Sequence, residues 1–176
     1  METLGNRALL DAPNKVAFLS SRKIAPDDVL RCYDWAAKVR DGDGCVVSGF
    51  QSPLEKDVLR FLLRGKAPII LVLARSLWKK VPDEMREAVD SGRLLIVSPV
   101  SAPRASASTA AARNRWILEN CNTVYLGALD PSGKLARILA SRSGLSIEIS
   151  SNRLIPRAVP TAGAVLNSVE HARIGD

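Results

Sequence analysis

The chain has 176 residues, 47% of them hydrophobic and 24% charged, with a formal net charge of +7. That length suits one domain with a substantial buried core, and the cationic excess points to an anionic partner such as nucleic acid or a nucleotide. The three cysteines, Cys32, Cys45 and Cys121, are scattered and odd in number, which excludes a disulfide framework and fits a reducing compartment.

Residues 1–14 read as a lead-in closed by Asp11-Ala12-Pro13-Asn14. They carry no charged-then-apolar leader pattern. The longest apolar stretch, Ala67 to Ala74, is far below the ~20 residues of a membrane helix. A cytoplasmic protein without a membrane span is expected. A first strand is predicted over 15–20, followed by a helix from Pro26 to Arg40 with proline in its first turn and Asp27 and Asp28 at the positive end of its dipole. Its inward stripe is read as Leu30, Tyr33 and Ala37.

A second strand covers 45–48. Ser52-Pro53-Leu54-Glu55 combines a capping box with proline at the first helical position, so a helix starts there and stops at Gly65. Leu54, Val58, Phe61 and Leu62 form its apolar face. A third strand is predicted at 68–74, a helix from near Pro82 to Ser91-Gly92, and a fourth strand at 93–98. A loop rich in Ser, Ala and Pro precedes a helix over about 109–120 and a fifth strand at 123–128. Asp130-Pro131-Ser132-Gly133 turns into a helix ending near Ala140, and 145–149 suits an edge strand.

Short apolar runs alternating with helical segments describe βαβ units. The expected fold is α/β: a Rossmann-like three-layer sandwich with a mainly parallel sheet of five to seven strands. A single domain spans 1–176, with a core over about 14–142 and a C-terminal extension over about 143–176.

Several chemistries are missing. No Gly-x-Gly-x-x-Gly follows the first strand, and no Gly-x-x-x-x-Gly-Lys-Ser/Thr occurs. The one histidine, His171, is read as a surface residue in the tail, which argues against Ser-His-Asp and Cys-His catalysis. No cysteine pair has zinc-ligand spacing. No cofactor and no metal is expected. Carboxylates available for acid–base work reduce to Glu55, Asp57 and Asp130, and Glu55 already serves the capping box.

The strand ends carry the positive signal. In open parallel sheets ligands bind outside the carboxyl ends of the strands. Arg22 and Lys23 follow the first strand, Arg75, Lys79 and Lys80 the third, and Arg104, Arg113 and Arg115 the fourth. Arginine offers a planar fork for phosphate and lysine a mobile point charge. Ser20, Ser21, Ser48 and Gly49 let backbone N–H groups approach an anion. Phe50 and Trp78 are placed either to stack on bases or to pack. Trp35, Met85 and Trp116 lie in amphipathic helices and read as core.

At these same turns the chain resembles the DprA/Smf DNA-processing family. The matching residues are Gly5-Asn6-Arg7, then Val16 to Arg22 with its Ser20-Ser21-Arg22 turn, Val46-Val47-Ser48-Gly49, Ser98-Pro99, Asn114-Arg115-x-Ile117, and Ser132-Gly133. The resemblance implies a binder of single-stranded DNA along a basic crest, in DNA uptake or recombination. It further implies a RecA-type recombinase as the receiver of that DNA, and a homodimer. By the same resemblance Ser98, Asn114, Arg115, Ser132 and Gly133 join the phosphate-binding set. The alternative is a small-nucleotide site in the same crevice, as a sensor or as a divergent nucleotide N-glycosidase. The Pro-Gly-Gly-x-Gly-Thr-x-x-Glu motif of the related nucleotide-cleaving enzymes is absent.

Overall fold

The computed structural model describes residues 1–142 and 144–149. His171 and most of the expected C-terminal extension lie outside the described residues. The elements run β1 (Glu2–Gly5), a 3₁₀ turn (Arg7–Asp11), β2 (Lys15–Leu19), α1 (Pro26–Val39), β3 (Cys45–Ser48), α2 (Pro53–Leu63) and β4 (Ile69–Val72). They continue with α3 (Asp83–Asp90), β5 (Leu94–Ser98), α4 (Ala107–Glu119), β6 (Thr123–Leu126), α5 (Lys134–Ala140) and β7 (Ser146–Ile149).

A seven-stranded sheet has the order β1-β5-β4-β3-β2-β6-β7. Strands β2 to β7 pair in parallel; β1 alone is antiparallel, on the outer edge of β5. The alternation of strand side chains builds two cores. Phe18, Val46, Ile69, Leu71, Leu94 and Ile96 face the layer of α1, α2 and α3. Ala17, Leu19, Val47, Ile70, Val72, Leu95 and Val97 face α4 and α5. The expected α/β three-layer architecture is what the chain adopts.

Strand β1 departs from the expectation of a lead-in. Its four residues hold no apolar run, and a short edge strand needs none, because its outer side is unpaired. Gly5 ends it at φ +100, where a Cβ would lie 2.3 Å from the Leu94 carbonyl oxygen. Only glycine lets the chain leave the edge at that point.

Helix α1 is rotated from the expected stripe. Leu30 is 61% exposed, and Cys32 and Ala36 are buried with Val29 and Tyr33 packed beside them. The rotation lets Trp35 stack at 4.4 Å on Tyr125 and 5.2 Å on Phe18, a larger apolar gain than Leu30 offers. Met85 is a core residue as expected, and Trp116 is half-buried against the core on the other face of the sheet.

Helix α2 starts as read, with Ser52 as N-cap: the Glu55 N–H donates to Ser52 Oγ at 3.2 Å, and the Ser52 N–H donates to Glu55 Oε2 at 3.0 Å. Ser52→Ala is expected to lower unfolding stability by about 0.5–2 kcal/mol in chemical denaturation, the range for losing such a cap. Helix α4 begins two residues earlier than expected, at Ala107, because Ser106 and Thr109 form a capping box in which threonine replaces the usual glutamate.

All three cysteines are buried and outside any disulfide. Burial pushes the thiols of Cys45 and Cys121 up to about 12. They remain neutral and unreactive at physiological pH.

Candidate nucleic-acid interface

Because β2 to β6 are parallel, their carboxyl ends share one rim. Along it, in spatial order, lie the loop after β5 with Arg104, Arg75 after β4, Gly49 after β3, Ser20 to Lys23 after β2, and Asp130 to Gly133 after β6. The chain order reverses between β2 and β6. In open parallel sheets such a topological switch point is where ligands commonly bind.

The two loops at the switch point are tied together. The Ser21 N–H donates to the Ala128 carbonyl at 2.9 Å, and the Asp130 N–H donates to Ser21 Oγ at 2.9 Å. Ser20 Oγ donates to the Ser21 carbonyl at 3.0 Å. Asp130 Oδ1 accepts from Ser132 N–H at 3.0 Å and Ser132 Oγ at 2.8 Å, which holds its carboxyl below the usual range. Ser20, Ser21, Ser132 and Gly133 therefore lie together, in a frame that leaves Arg22 and Lys23 exposed and outside any ion pair among the described residues.

Beside Arg22 a cleft of about 170 Å³ sinks between α1 and α2. Ile24, Val29 and Leu54 form its apolar wall, with Tyr33 and Asp57 at one end. Tyr33 Oη donates to Asp57 Oδ2 at 2.9 Å, and this bond raises the tyrosine pKa. Arg60 Nη1 donates to Asp57 Oδ1 at 2.7 Å.

The end of β3 is built differently. Ser48 is fully buried, and its Oγ accepts from the Phe50 N–H at 3.2 Å. Phe50 is 3% exposed at φ 46, inside the core. This packing takes the place of the base stacking open to it in the sequence. The N-terminus of α2 already holds an anion: Glu55, 4% exposed, accepts the N–H groups of Gln51 at 2.8 Å and Ser52 at 3.0 Å on one oxygen. Ser48 and Gly49, expected to approach a phosphate, are both buried beside this internal carboxylate.

Above Gly49 lies Arg113, 7% exposed. A Cβ on residue 49 would sit 2.5 Å from its guanidinium, so glycine makes the seat. Arg113 Nε and Nη2 donate to Asn114 Oδ1 at 3.1 and 2.9 Å. Burial lowers its pKa, and the field of Glu55 counters that. Asn114 thus has its oxygen committed to Arg113. Arg115, two residues on, lies about 200° round the helix. It is exposed, with Nε 3.5 Å from the Ala111 carbonyl. The structure does not bring Arg115 to the strand ends where Arg113 sits.

Ser98 is also internal, 1% exposed, with Oγ 2.8 Å from the Arg75 carbonyl and 2.7 Å from the Val100 carbonyl. It pins the loops after β4 and β5 and so sets where Arg75 emerges. The Arg75 side chain is exposed and outside any ion pair among the described residues. Sequence reasoning missed Arg113 as a structural cation. The available signal was its position on the apolar stripe with Ile117, four residues later. Tyr33 and Asp57 were each visible in the sequence, but their pairing gave no signal, since two helices meet to make it.

No family model and no curated protein matches this chain. Among solved structures, DNA processing protein A from Helicobacter pylori, described with its single-stranded DNA binding mode, superposes with a TM-score of 0.65 at 20% identity. The match covers 84% of this chain and 69% of that one. DNA processing protein A (DprA) from Streptococcus pneumoniae gives 0.64 at 21% identity, over 84% of this chain and 53% of that one. The chain therefore spans about half the length of the pneumococcal protein, and it has the DprA-like fold that its turn motifs resemble.

Proposed function

We propose that this chain binds single-stranded DNA along the carboxyl-end rim of its sheet, as a DprA-like DNA-processing protein acting in recombination. The observation that carries the reading is the position of Arg22: it follows β2, is exposed and outside any ion pair among the described residues, and lines a cleft between α1 and α2. Arg75, Lys23 and Arg104 extend the basic rim across neighbouring strand ends. The likeness in fold to a protein with a described single-stranded DNA binding mode supports the same choice. Passing the strand to a RecA-type recombinase, pairing as a homodimer and working in the cytoplasm extend the proposal. Among the described residues no helix is long and apolar enough to cross a membrane.

A binding role fits better than catalysis. Glu55 is consumed by the α2 cap, Asp130 by the Ser132 turn, and Asp57 by Tyr33 and Arg60. Each of the three carboxylates has a structural partner, which weakens the N-glycosidase alternative.

Anisotropy of a labelled single strand, an equivalent duplex and a labelled mononucleotide, each between about 50 and 200 mM salt, tests the reading. The single strand is expected to bind most tightly, with log affinity falling by about 0.7 per contacted phosphate for each decade of salt. Binding of the mononucleotide alone, or equal binding of duplex, overturns it.

A further inference from the structure

We propose that the groove between α2 and the loop joining β4 to α3 is a second nucleotide subsite, which takes one base against Trp78 and its phosphate against Lys56 and Arg60. The inference rests on the DNA-binding reading of the rim and extends it to a place the turn motifs do not touch.

The groove holds about 430 Å³. Ligand cavities commonly measure about 300–1,000 Å³, so it has room for a base with its sugar. Its floor is apolar, made by Phe50, Leu71 and Met85, all nearly fully buried. A desolvated floor of that kind favours a flat apolar surface over a hydrated one. Trp78 is half-buried: it packs against the core and lines the groove as well. An indole so held offers a π-face fixed before any ligand arrives.

The walls supply the charge. Lys56 is exposed and outside any ion pair among the described residues. Arg60 commits Nη1 to Asp57 at 2.7 Å, and a guanidinium has five N–H donors. Both cations stand on the α2 wall. Glu84 stands on the α3 side and repels a phosphate there. The charge asymmetry orients the ligand: phosphate toward α2, base toward Trp78.

The groove also communicates with the rim. Helix α2 separates two clefts, with Ser52 and Asp57 facing the Arg22 cleft and Gln51, Lys56 and Arg60 facing the Trp78 groove. Both clefts open beside the β3–α2 turn at residues 50–53. A strand held at Arg22 can cross that turn and set a further base in the groove. A free mononucleotide presents the same chemistry, and the experiment separates the two sources.

Two signals are followed in parallel: anisotropy of a labelled oligonucleotide, and quenching of tryptophan fluorescence by dAMP or by unlabelled oligonucleotide. The expected result is quenching on oligonucleotide binding that disappears in Trp78→Phe. Trp78→Ala is expected to bind the oligonucleotide roughly five- to hundredfold more weakly, the range for losing one base–aromatic stack. Lys56→Ala, an exposed change that leaves folding intact, is expected to make the salt slope shallower by about 0.7. Quenching by dAMP that Trp78→Phe abolishes assigns the groove to free nucleotides as well. If the oligonucleotide binds and Arg22→Ala weakens it, while quenching is absent and Trp78→Ala and Lys56→Ala match the parent, the groove proposal fails and the rim reading stands. If no oligonucleotide binds but dAMP quenches through Trp78, the rim reading fails and the groove stands as a mononucleotide site. If neither ligand gives a signal, both are overturned.

Discussion

Glu55→Ala is expected to lower unfolding stability by about 2–4 kcal/mol, beyond the cost of removing the Ser52 cap. One carboxylate oxygen accepts two backbone N–H groups, from Gln51 and Ser52, and the residue is 4% exposed. A fully buried donor left without a partner costs about 1–3 kcal/mol, and both of these are part-buried, so together they contribute about 2–4 kcal/mol. The same substitution removes the nearby negative charge that offsets the desolvation of Arg113, a cation 7% exposed with no carboxylate in ion-pair range among the described residues. Glu55→Gln keeps an acceptor oxygen and loses only the charge, so it is expected to fall between the parent and alanine. Urea denaturation of both variants, combined with Arg113→Met in a double-mutant cycle, reads the coupling directly; neighbouring charged residues give about 0.5–3 kcal/mol. A Glu55→Ala cost no larger than that of Ser52→Ala would mean the carboxylate acts as a plain cap and Arg113 is stabilised otherwise.

That arrangement also marks where sequence reading reaches and where it stops. The apolar runs at β2, β3, β4, β5 and β6 were legible because strands buried on both faces leave continuous Val, Ile and Leu. Helix α2 was legible because its start is written locally, in Ser52, Pro53 and Glu55. Strand β1 was not, since an edge strand on a neighbour's antiparallel flank has no pattern of its own to show. The rotation of α1 was set by Trp35 meeting Tyr125, far apart in the chain, and no helical wheel contains that contact. At the rim, the exposed cations could be chosen from strand ends alone. Which neutral residues were free for a ligand could not: Ser48, Ser98 and Phe50 sit at the right turns, yet each is committed to the protein interior. Burial at a strand end depends on how the next helix lies across it, and that is tertiary information.

The rim itself makes the sharper functional prediction. Arg22→Ala combined with Arg75→Ala is expected to weaken binding to every single-stranded sequence alike. The slope of log affinity against log salt should become shallower by about 1.4, which is about 0.7 for each phosphate no longer neutralised. Sequence independence follows because phosphate contacts position a strand without reading its bases. Adding Arg115→Ala brings the change to about 2 if that side chain also meets a phosphate. Its position, about 200° round α4 from the buried Arg113, predicts that it adds little. Folding should survive all three changes, since the side chains are exposed and outside any ion pair among the described residues, and surface charges of this kind contribute about 0–1 kcal/mol. The measurement is oligonucleotide anisotropy across a salt series, with a melting curve on each variant. A folded double variant with the parent's affinity and slope would place the DNA away from the strand ends, and the cleft beside Arg22 would then be left with a small nucleotide as its ligand.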